Sequence, residues 1–177
     1  MPSVQDFRAA LQRRGGVVRQ HRWRVIVNLP SFAATPDLMK DASLLAVTTQ
    51  TPNGVLGEIA LSWGGREIPL PGDRKYEVFP ITFIGTEDDS VHTAFEIWQQ
   101  SINGDRNNAS TVATDDQMRD FTLQLLDQND AVVKEYTLEG AWPQEVGQLE
   151  LDQTAQDSFG QFTVNLRYIQ SSTANSR

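Results

Sequence analysis

The feature that most constrains the fold is a stretch near the C-terminus, residues 159–168, in which apolar and polar side chains alternate strictly. Phe162, Val164, Leu166 and Tyr168 share one side, and Gln161, Thr163, Asn165 and Arg167 share the other. A period of two is typical of a β-strand with one buried and one solvated face. Such a long two-faced strand needs a neighbour on each edge, so the sequence predicts a chain organised around a β-sheet.

Other segments also have the composition of strands and are separated by turn-forming residues. The predicted strands cover residues 23–29, 45–50, 55–63, 66–70, 76–84, 121–126 and 132–138. Turns are predicted at residues 51–54, 64–65, 71–73 and 127–130, which are rich in Gly, Pro, Asn and Asp. We interpret residues 30–43 as a connection with room for a helical turn after Pro36.

One long helix is predicted after the acidic residues 87–89. Its apolar residues are spaced so that they form a single stripe: Val91, Ala94, Phe95, Trp98 and Ile102. A shorter helix is predicted over residues 3–12. The pattern therefore predicts a mainly β domain with one packed α-helix.

Composition excludes several classes of protein. A chain of 177 residues fits one domain, and a domain of this size buries about 70% of its unfolded surface without a disulfide or metal. The chain has no cysteine, which excludes disulfides, thiolate zinc sites and cysteine nucleophiles. No apolar run approaches the roughly 20 residues of a membrane span, and we expect neither a membrane segment nor a secretory signal.

Charge is divided unevenly along the chain. Six arginines, with Asp6 as the lone acid, make residues 1–24 basic: Arg8, Arg13, Arg14, Arg19, Arg22 and Arg24. The remaining nine basic and 22 acidic residues leave the rest of the chain with a net charge of −13. An acidic body argues against ordinary nucleic-acid binding. We expect residues 1–20 to form a basic arm that contacts an acidic neighbouring subunit, residues 21–169 to form the β domain, and residues 170–177 to be a flexible tail.

A search for chemical motifs finds none that predicts catalysis, a cofactor or a metal. His21 and His92 lie too far apart in sequence to form a helical ligand pair, and the 127–130 turn lacks the glycine and glutamate of a calcium loop. Phosphate-binding loops and nucleophile elbows are also missing. Three tryptophans, Trp63, Trp98 and Trp142, leave a sugar-binding platform open as an alternative to core or interface anchors.

Four features together carry a resemblance to a known family. They are the Gly72-Asp73-Arg74 turn, the strand after it, the Phe95-x-x-Trp98 helix and a later G-x-W-P-x-x-V-G-x-L turn. The matching residues are Gly72, Asp73, Arg74, Phe95, Trp98, Gly140, Trp142, Pro143, Val146, Gly147, Leu149 and Leu151. Over roughly residues 20–169 the chain resembles the tail tube protein family of contractile-tailed bacteriophages.

This resemblance implies a structural protein and not an enzyme. It implies a single-domain antiparallel β-barrel or sandwich with a helix outside, six copies of which form a ring. Stacked rings form a tube that conducts the phage DNA without sequence-specific binding. The implied partners are the tail sheath, baseplate and tail terminator proteins; the implied location is the virion tail, assembled in the host cytoplasm.

A tube that conducts DNA is expected to have polar, acidic side chains on its inner surface, because a basic surface would bind the DNA. On residues 132–138 and 159–168 the alternation leaves one polar face, and we expect it to line the lumen. Its members are Glu135, Thr137, Glu139, Gln161, Thr163 and Asn165, with Glu58 as a possible contributor from another strand. Two alternatives stay open: a tube subunit of a contractile injection or type VI secretion system, and a carbohydrate-binding β-sandwich.

Overall fold

The computed structural model describes residues 3–149, 154, 156 and 158–175. Its elements in chain order are α1 (Val4–Arg13), β1 (Trp23–Ile26), α2 (Pro36–Leu45), β2 (Ala46–Thr49), β3 (Gly54–Trp63), β4 (Arg66–Tyr76), β5 (Phe79–Ile84), α3 (Ser90–Ile102), a 3-10 turn (Thr114–Asp116), β6 (Arg119–Leu126), β7 (Val132–Val146), β8 (Gln161–Arg167) and β9 (Gln170–Asn175). The prediction of a mainly β chain is confirmed.

Seven strands form one antiparallel sheet. Its path runs β1-β6-β7-β8-β5-β2, with β9 beside β7. Within the described residues, β1 and β2 end this path and do not pair with each other. The apolar sides of β5, β6 and β8 enclose one core, which includes Phe79, Phe121 and Phe162.

Strand β7 is the longest element, and it corrects a prediction. Residues 140–147 were expected to form a turn, but β7 runs straight through to Val146. Gly140 adopts a positive φ of 64°, and the pairing register with β6 shifts there, which is the signature of a β-bulge. The chain bends at this bulge without breaking the strand, so the G-x-W-P segment marks a bend and not a turn.

The bend determines how β8 and β9 pair. β8 pairs with residues 142–146 of β7, and β9 pairs with residues 134–139. β8 and β9 therefore lie along successive stretches of the same edge, on either side of Gly140. A Cβ at Gly140 would lie 2.6 Å from Ile169 Cδ1, and the positive φ of this residue favours glycine where the two strands turn together.

Strand β9 also corrects the prediction of a flexible tail. Residues 170–175 make six pairs with β7, although their Ser, Thr and Asn side chains are poor in apolar area. Pairing depends on backbone donors and acceptors, which the composition of the segment does not reveal. Residues 176 and 177 lie outside the described residues.

Helix α2 is a second correction, because the sequence predicted only a helical turn there. Thr35 caps the helix by accepting a hydrogen bond from the backbone N–H of Leu38, and Pro36 occupies its first turn. Both features favour a helix start. Ala42 is fully buried and packs α2 onto the domain. None of the described helices is long and apolar enough to cross a membrane.

Helix α3 fills the core as the stripe predicts. Val91, Ala94, Phe95 and Trp98 are buried, while Ile102 is partly buried against the same core. The Trp98 ring stacks on Phe121 of β6 at 6.2 Å between centroids, and its Nε1 donates a 3.0 Å hydrogen bond to the carbonyl of Gln117. Trp98 therefore joins α3 to the sheet through both its apolar and its polar atoms.

The Trp98→Ala substitution is expected to lower the free energy of unfolding by about 3–5 kcal/mol, because it leaves a cavity in the core. Denaturant unfolding of the isolated protein measures this loss. Trp63→Ala is the matched control, since Trp63 is 77% exposed. Equal unfolding midpoints for the two variants would contradict the role of Trp98 as a core anchor.

Candidate functional surfaces

The residues of the W-P-x-x-V-G-x-L segment lock the end of β7 against its neighbours. The Gly147 N–H donates a 2.8 Å hydrogen bond to the Thr163 carbonyl, and a Cβ at Gly147 would lie 2.5 Å from that oxygen. His92 Nε2 of α3 lies 3.2 Å from the Gly147 carbonyl. The segment thus holds β7, β8 and α3 together, and only glycine fits at this position.

Leu149 and Trp142 extend this packing. The Leu149 side chain lies over two glycines, with its Cδ1 less than 3 Å from where a Cβ of Gly85 or Gly160 would sit. Pro143 is buried, and Trp142 is half-buried against the core. Leu151 lies outside the described residues. With Phe95 and Trp98 in the core as well, these motif residues serve packing and not chemistry.

The Gly72-Asp73-Arg74 motif lies in a two-stranded hairpin, where it corrects another prediction. The turn expected at residues 71–73 is absent, since β4 continues through it and the hairpin turns at Gly64 and Gly65. The register shifts between the Leu56 and Glu58 pairs, and a Cβ at Gly72 would lie 3.0 Å from the Gly57 carbonyl carbon. The glycine is therefore needed for a bulge between two close backbones.

The hairpin of β3 and β4 exposes an apolar face, which we call the hairpin face. Cross-strand pairs place its side chains together: Val55, Ile59, Leu61, Trp63, Ile68 and Leu70. Each is at least 42% exposed. At the base of the hairpin, the Tyr76 ring packs on Tyr168 at 5.4 Å, and burial together with nearby Tyr76 and Glu77 raises the pKa of Tyr168. The hairpin is thus anchored at its base, while its apolar face is open to solvent.

The expected lumen residues of β7 lie on the side of the sheet that faces away from the core. Leu138 and Tyr136 point towards the core, which leaves Glu135, Thr137 and Glu139 on the opposite side. On this side Gln124 Nε2 donates to Glu135 at 2.5 Å, and Gln170 Nε2 donates to Glu139 at 2.5 Å. These partners come from β6 and β9.

The expected lumen residues of β8 lie on the same non-core side but beyond the bend. The hydroxyls of Thr163 and Thr82 hydrogen-bond at 2.9 Å, and Asn165 Nδ2 donates to Glu145 at 2.8 Å. Gln161 is exposed and pairs with Ile84 of β5. We call this whole non-core side, on β5 to β9, the polar wall. Glu58 is not part of it, because it lies on β3 in the separate hairpin.

Three members of the polar wall, Gln124, Glu145 and Gln170, are not evident from the sequence alone. The alternation on β6 marks Gln124 as facing away from the core, but only the register reveals that it is opposite Glu135. Glu145 follows a second register shift at residues 143–145, and Gln170 lies in a strand that was not predicted. The position of all three depends on the register between paired strands.

The basic arm begins with a helix that buries none of its residues. Ser3 and Asp6 form a capping box, and hydrogen bonds from the Ser3 backbone and hydroxyl lower the pKa of Asp6. Val4 and Phe7 are 76% and 64% exposed. An isolated helix of ten residues is marginal in water, so α1 needs a surface that this chain does not supply within the described residues.

The arginines that follow α1 divide into two groups. Arg22 donates to the Asp130 carboxylate at 2.7 Å and to the Asp127 carbonyl, and Arg24 donates to Gln124. These two anchor the chain where it enters β1. Within the described part of the chain, Arg8, Arg13, Arg14 and Arg19 form no ion pair. The described residues also hold no group of three or more His, Asp or Glu side chains placed to bind a metal.

The tryptophans do not form a sugar-binding platform. Trp98 is buried in the core, Trp142 is half-buried and Trp63 is exposed near the tip of the hairpin. They lie on three different elements or surfaces, and stacking on a sugar needs exposed aromatic faces. The arrangement favours core and interface roles.

Comparisons with known proteins agree with one another. The family model described as phage tail tube protein matches residues 19–174. The tail tube protein of Serratia phage KSP90 is 54% identical over 177 residues, all of both chains. Tail tube protein gp19 of Enterobacteria phage T4 is 28% identical over 120 residues, which are 67% of this chain and 73% of that protein.

Solved structures share the fold. A chain in the structure of the anti-feeding prophage baseplate matches with a TM-score of 0.67 at 15% identity, covering 90% of this chain and 96% of that one. A chain in the sheath–tube complex of an extracellular contractile injection system matches with a TM-score of 0.56 at 15% identity, covering 99% of each.

Proposed function

Because this chain belongs to the phage tail tube protein family, we propose that six copies form a ring and that the rings stack into a tube inside a contractile sheath. The chain is a structural protein of the phage tail. The full-length relative is a phage protein, which favours a phage tail over a secretion machine. The further proposal is that the DNA genome passes through the tube into the host.

The observation that carries the proposal of self-assembly is the hairpin face. A two-stranded hairpin is marginally stable by itself in water, and monomeric proteins rarely expose a continuous apolar row of this kind. Its charged residues, Glu58, Glu67 and Asp73 against Arg66, Arg74 and Lys75, balance each other. An apolar, neutral surface on an acidic protein suits contact with another copy of the same chain.

The open ends of the sheet support ring formation. Unpaired edges promote association with other strands, and a closed ring removes them. If each copy contributes four inner strands, as the family resemblance implies, then twenty-four strands spaced about 4.8 Å apart and tilted about 40° give a backbone diameter of about 48 Å. Side chains reduce this to a bore of roughly 40 Å, which admits a DNA duplex.

We infer partners at the outside and at the ends of the tube. Chains of similar fold occur in a baseplate, in a tube-terminating cap and in a sheath–tube complex of other contractile systems. By analogy, we propose a sheath protein along the outside and baseplate and terminator proteins at the two ends. Assembly takes place in the host cytoplasm in this proposal.

The Leu61→Glu substitution is expected to abolish tubes and to leave a folded protomer, because it places a charge in the middle of the hairpin face. Negative-stain electron microscopy measures tube formation, and thermal unfolding checks the fold. Ser62→Glu is the matched control, since it adds the same charge to the opposite face of β3. Tubes of normal length from Leu61→Glu would overturn the assignment of the hairpin face to assembly.

We propose that the polar wall lines the lumen. A basic wall would bind DNA by releasing counterions, whereas a wall with negative charge lets the duplex slide. The carboxylates of Glu135, Glu139 and Glu145 supply that charge, and the threonine hydroxyls and amides around them are neutral. Arg167, on the same face at the end of β8, donates to the Tyr76 carbonyl.

Replacing Glu135 and Glu139 together with lysine is expected to slow DNA ejection, most strongly at low salt. The change adds about +4 per copy and about +24 per ring of six, enough to make the wall attract phosphates. Fluorescence of ejected DNA measures the rate in phage carrying the variant. The control is Asp41→Lys with Asp115→Lys, which makes the same charge change at exposed sites away from the wall. Ejection at the wild-type rate would mean that this side of the sheet faces outward.

We also propose that the basic arm binds an acidic surface of a neighbouring copy. Four of its arginines have no ion-pair partner within the described residues, and the body of the chain carries a net charge of −13. The exposed Val4 and Phe7 would add apolar contact.

Deletion of residues 1–20 is expected to shorten or abolish tubes while the fold persists, since the deletion ends before Arg22 and β1. Replacing Arg8, Arg13 and Arg14 with glutamine should weaken tubes less and make them more sensitive to salt, because charge contacts are screened beyond about 8 Å at physiological ionic strength. Electron microscopy over a salt series measures tube length. Salt-resistant tubes of normal length after the deletion would contradict an assembly role for the arm.

A further inference from the structure

The three glutamates of the polar wall share a contact that the proposed function does not explain. Each accepts a hydrogen bond from the primary amide of a residue directly opposite on the next strand. The pairs are Gln124 with Glu135, Gln170 with Glu139 and Asn165 with Glu145, at 2.5, 2.5 and 2.8 Å. Three different strands supply the three amides, so the arrangement does not come from a single sequence repeat.

The orientation of one amide is set by a further residue. Arg24 Nε donates to Gln124 Oε1 at 2.5 Å, so the oxygen of that amide faces β1 and its NH₂ group faces Glu135. A guanidinium only donates hydrogen bonds, which excludes the flipped amide. Gln124 is also buried, with 8% of its surface exposed. The Glu135 carboxylate is therefore held by a fixed donor.

An amide partner holds a carboxylate without neutralising it. Elsewhere in the chain, Asp130 and Asp116 are paired with Arg22 and Arg119, which cancel their charges. The polar wall instead uses neutral donors for all three glutamates. Because each donor lies across the strand pair, the carboxylate is drawn along the sheet towards its neighbour and away from the open space in front of the wall.

The position of these carboxylates affects how well they bind divalent cations. Mg²⁺ and other hard cations bind carboxylate oxygens and phosphate oxygens alike, so a free carboxylate on the wall could be bridged through Mg²⁺ to DNA. Glu135 and Glu139 are four residues apart on one strand, a separation of about 13 Å, which is too far for both to bind one cation. Each carboxylate also accepts an amide hydrogen bond on one oxygen, and this donor competes with a cation for the lone pairs of that oxygen.

We propose that Gln124, Gln170 and Asn165 are positioning residues that keep the carboxylates of the polar wall charged while weakening their binding of divalent cations. Their role in the tube rests on the proposed assignment of this wall to the lumen. There, the wall repels phosphates and does not become a cation bridge to the passing DNA.

The test removes two amides without changing side-chain size greatly. Asn165→Leu and Gln170→Met are made singly and together in the full chain, so that either single variant decides the question if the other does not fold. Terbium luminescence of assembled tubes measures binding of an oxygen-seeking cation. In parallel, DNA ejection from phage carrying each variant is measured over a MgCl₂ series. Asn165→Gln and Gln170→Asn keep an amide at each site and serve as conservative controls.

The expected result is a severalfold tighter binding of terbium by the amide-free variants and a slowing of ejection as Mg²⁺ rises. The conservative controls should behave like the wild type. Adding Glu139→Gln and Glu145→Gln to the double variant should return terbium binding to its original level, since the carboxylates are then gone. A purely structural role for the amides would not give this rescue.

Unchanged terbium binding in folded, amide-free tubes would overturn the inference. Tighter terbium binding with ejection that does not respond to Mg²⁺ would support the positioning role and overturn the assignment of this wall to the lumen. The two readouts therefore separate a failure of the inference from a failure of the proposed function.

Discussion

The rest of the structure depends on the bend in β7 at Gly140. The bulge leaves the Gly140 N–H outside the regular ladder, and the carboxylate of Asp120 accepts a 2.9 Å hydrogen bond from it, so this donor stays paired at the bend. Because the strand does not break, β8 and β9 can follow it around the corner on one edge. The same side of the sheet thus faces the core before and after the bend, and α3 closes that core with Trp98.

The division between buried and exposed apolar residues follows from this arrangement. The bent sheet and α3 enclose the core within one chain. The hairpin of β3 and β4 and the helix α1 leave their apolar sides exposed. Neither uncovered apolar surface adds to the stability of a single chain in water. In the assembly that we propose, both surfaces supply contacts between copies, since such contacts must come from residues that the fold of one chain leaves free.

Regular patterns in the sequence predicted the parts of the fold that are locally regular. The alternation predicted strand β8 and the apolar stripe predicted helix α3, because each pattern reflects the burial of one face of the element. The bend at Gly140, the bulge at Gly72 and strand β9 were not predicted. A G-x-W-P segment and a glycine after proline both resemble turns, and a Ser/Thr-rich segment resembles unstructured chain. The polar wall was predicted in part: the alternation gave Glu135 and Asn165, but the amide partners depend on register, which pairing between distant strands decides.

The family motif and the polar wall illustrate two different uses of the same sheet. At Gly147 the backbone of β8 comes so close that no side chain fits, and the motif residues around it fix the shape of the subunit. On the polar wall, the side chains set the charge: neutral amides hold the three carboxylates, which form no ion pair within the described part of the chain. If the polar wall lines the lumen, as we propose, the first group supplies the rigid geometry of the tube and the second supplies the negative charge that repels a polyanion. The bulges in β7 serve both, because they place Gly147 against β8 and also turn Glu145 towards Asn165.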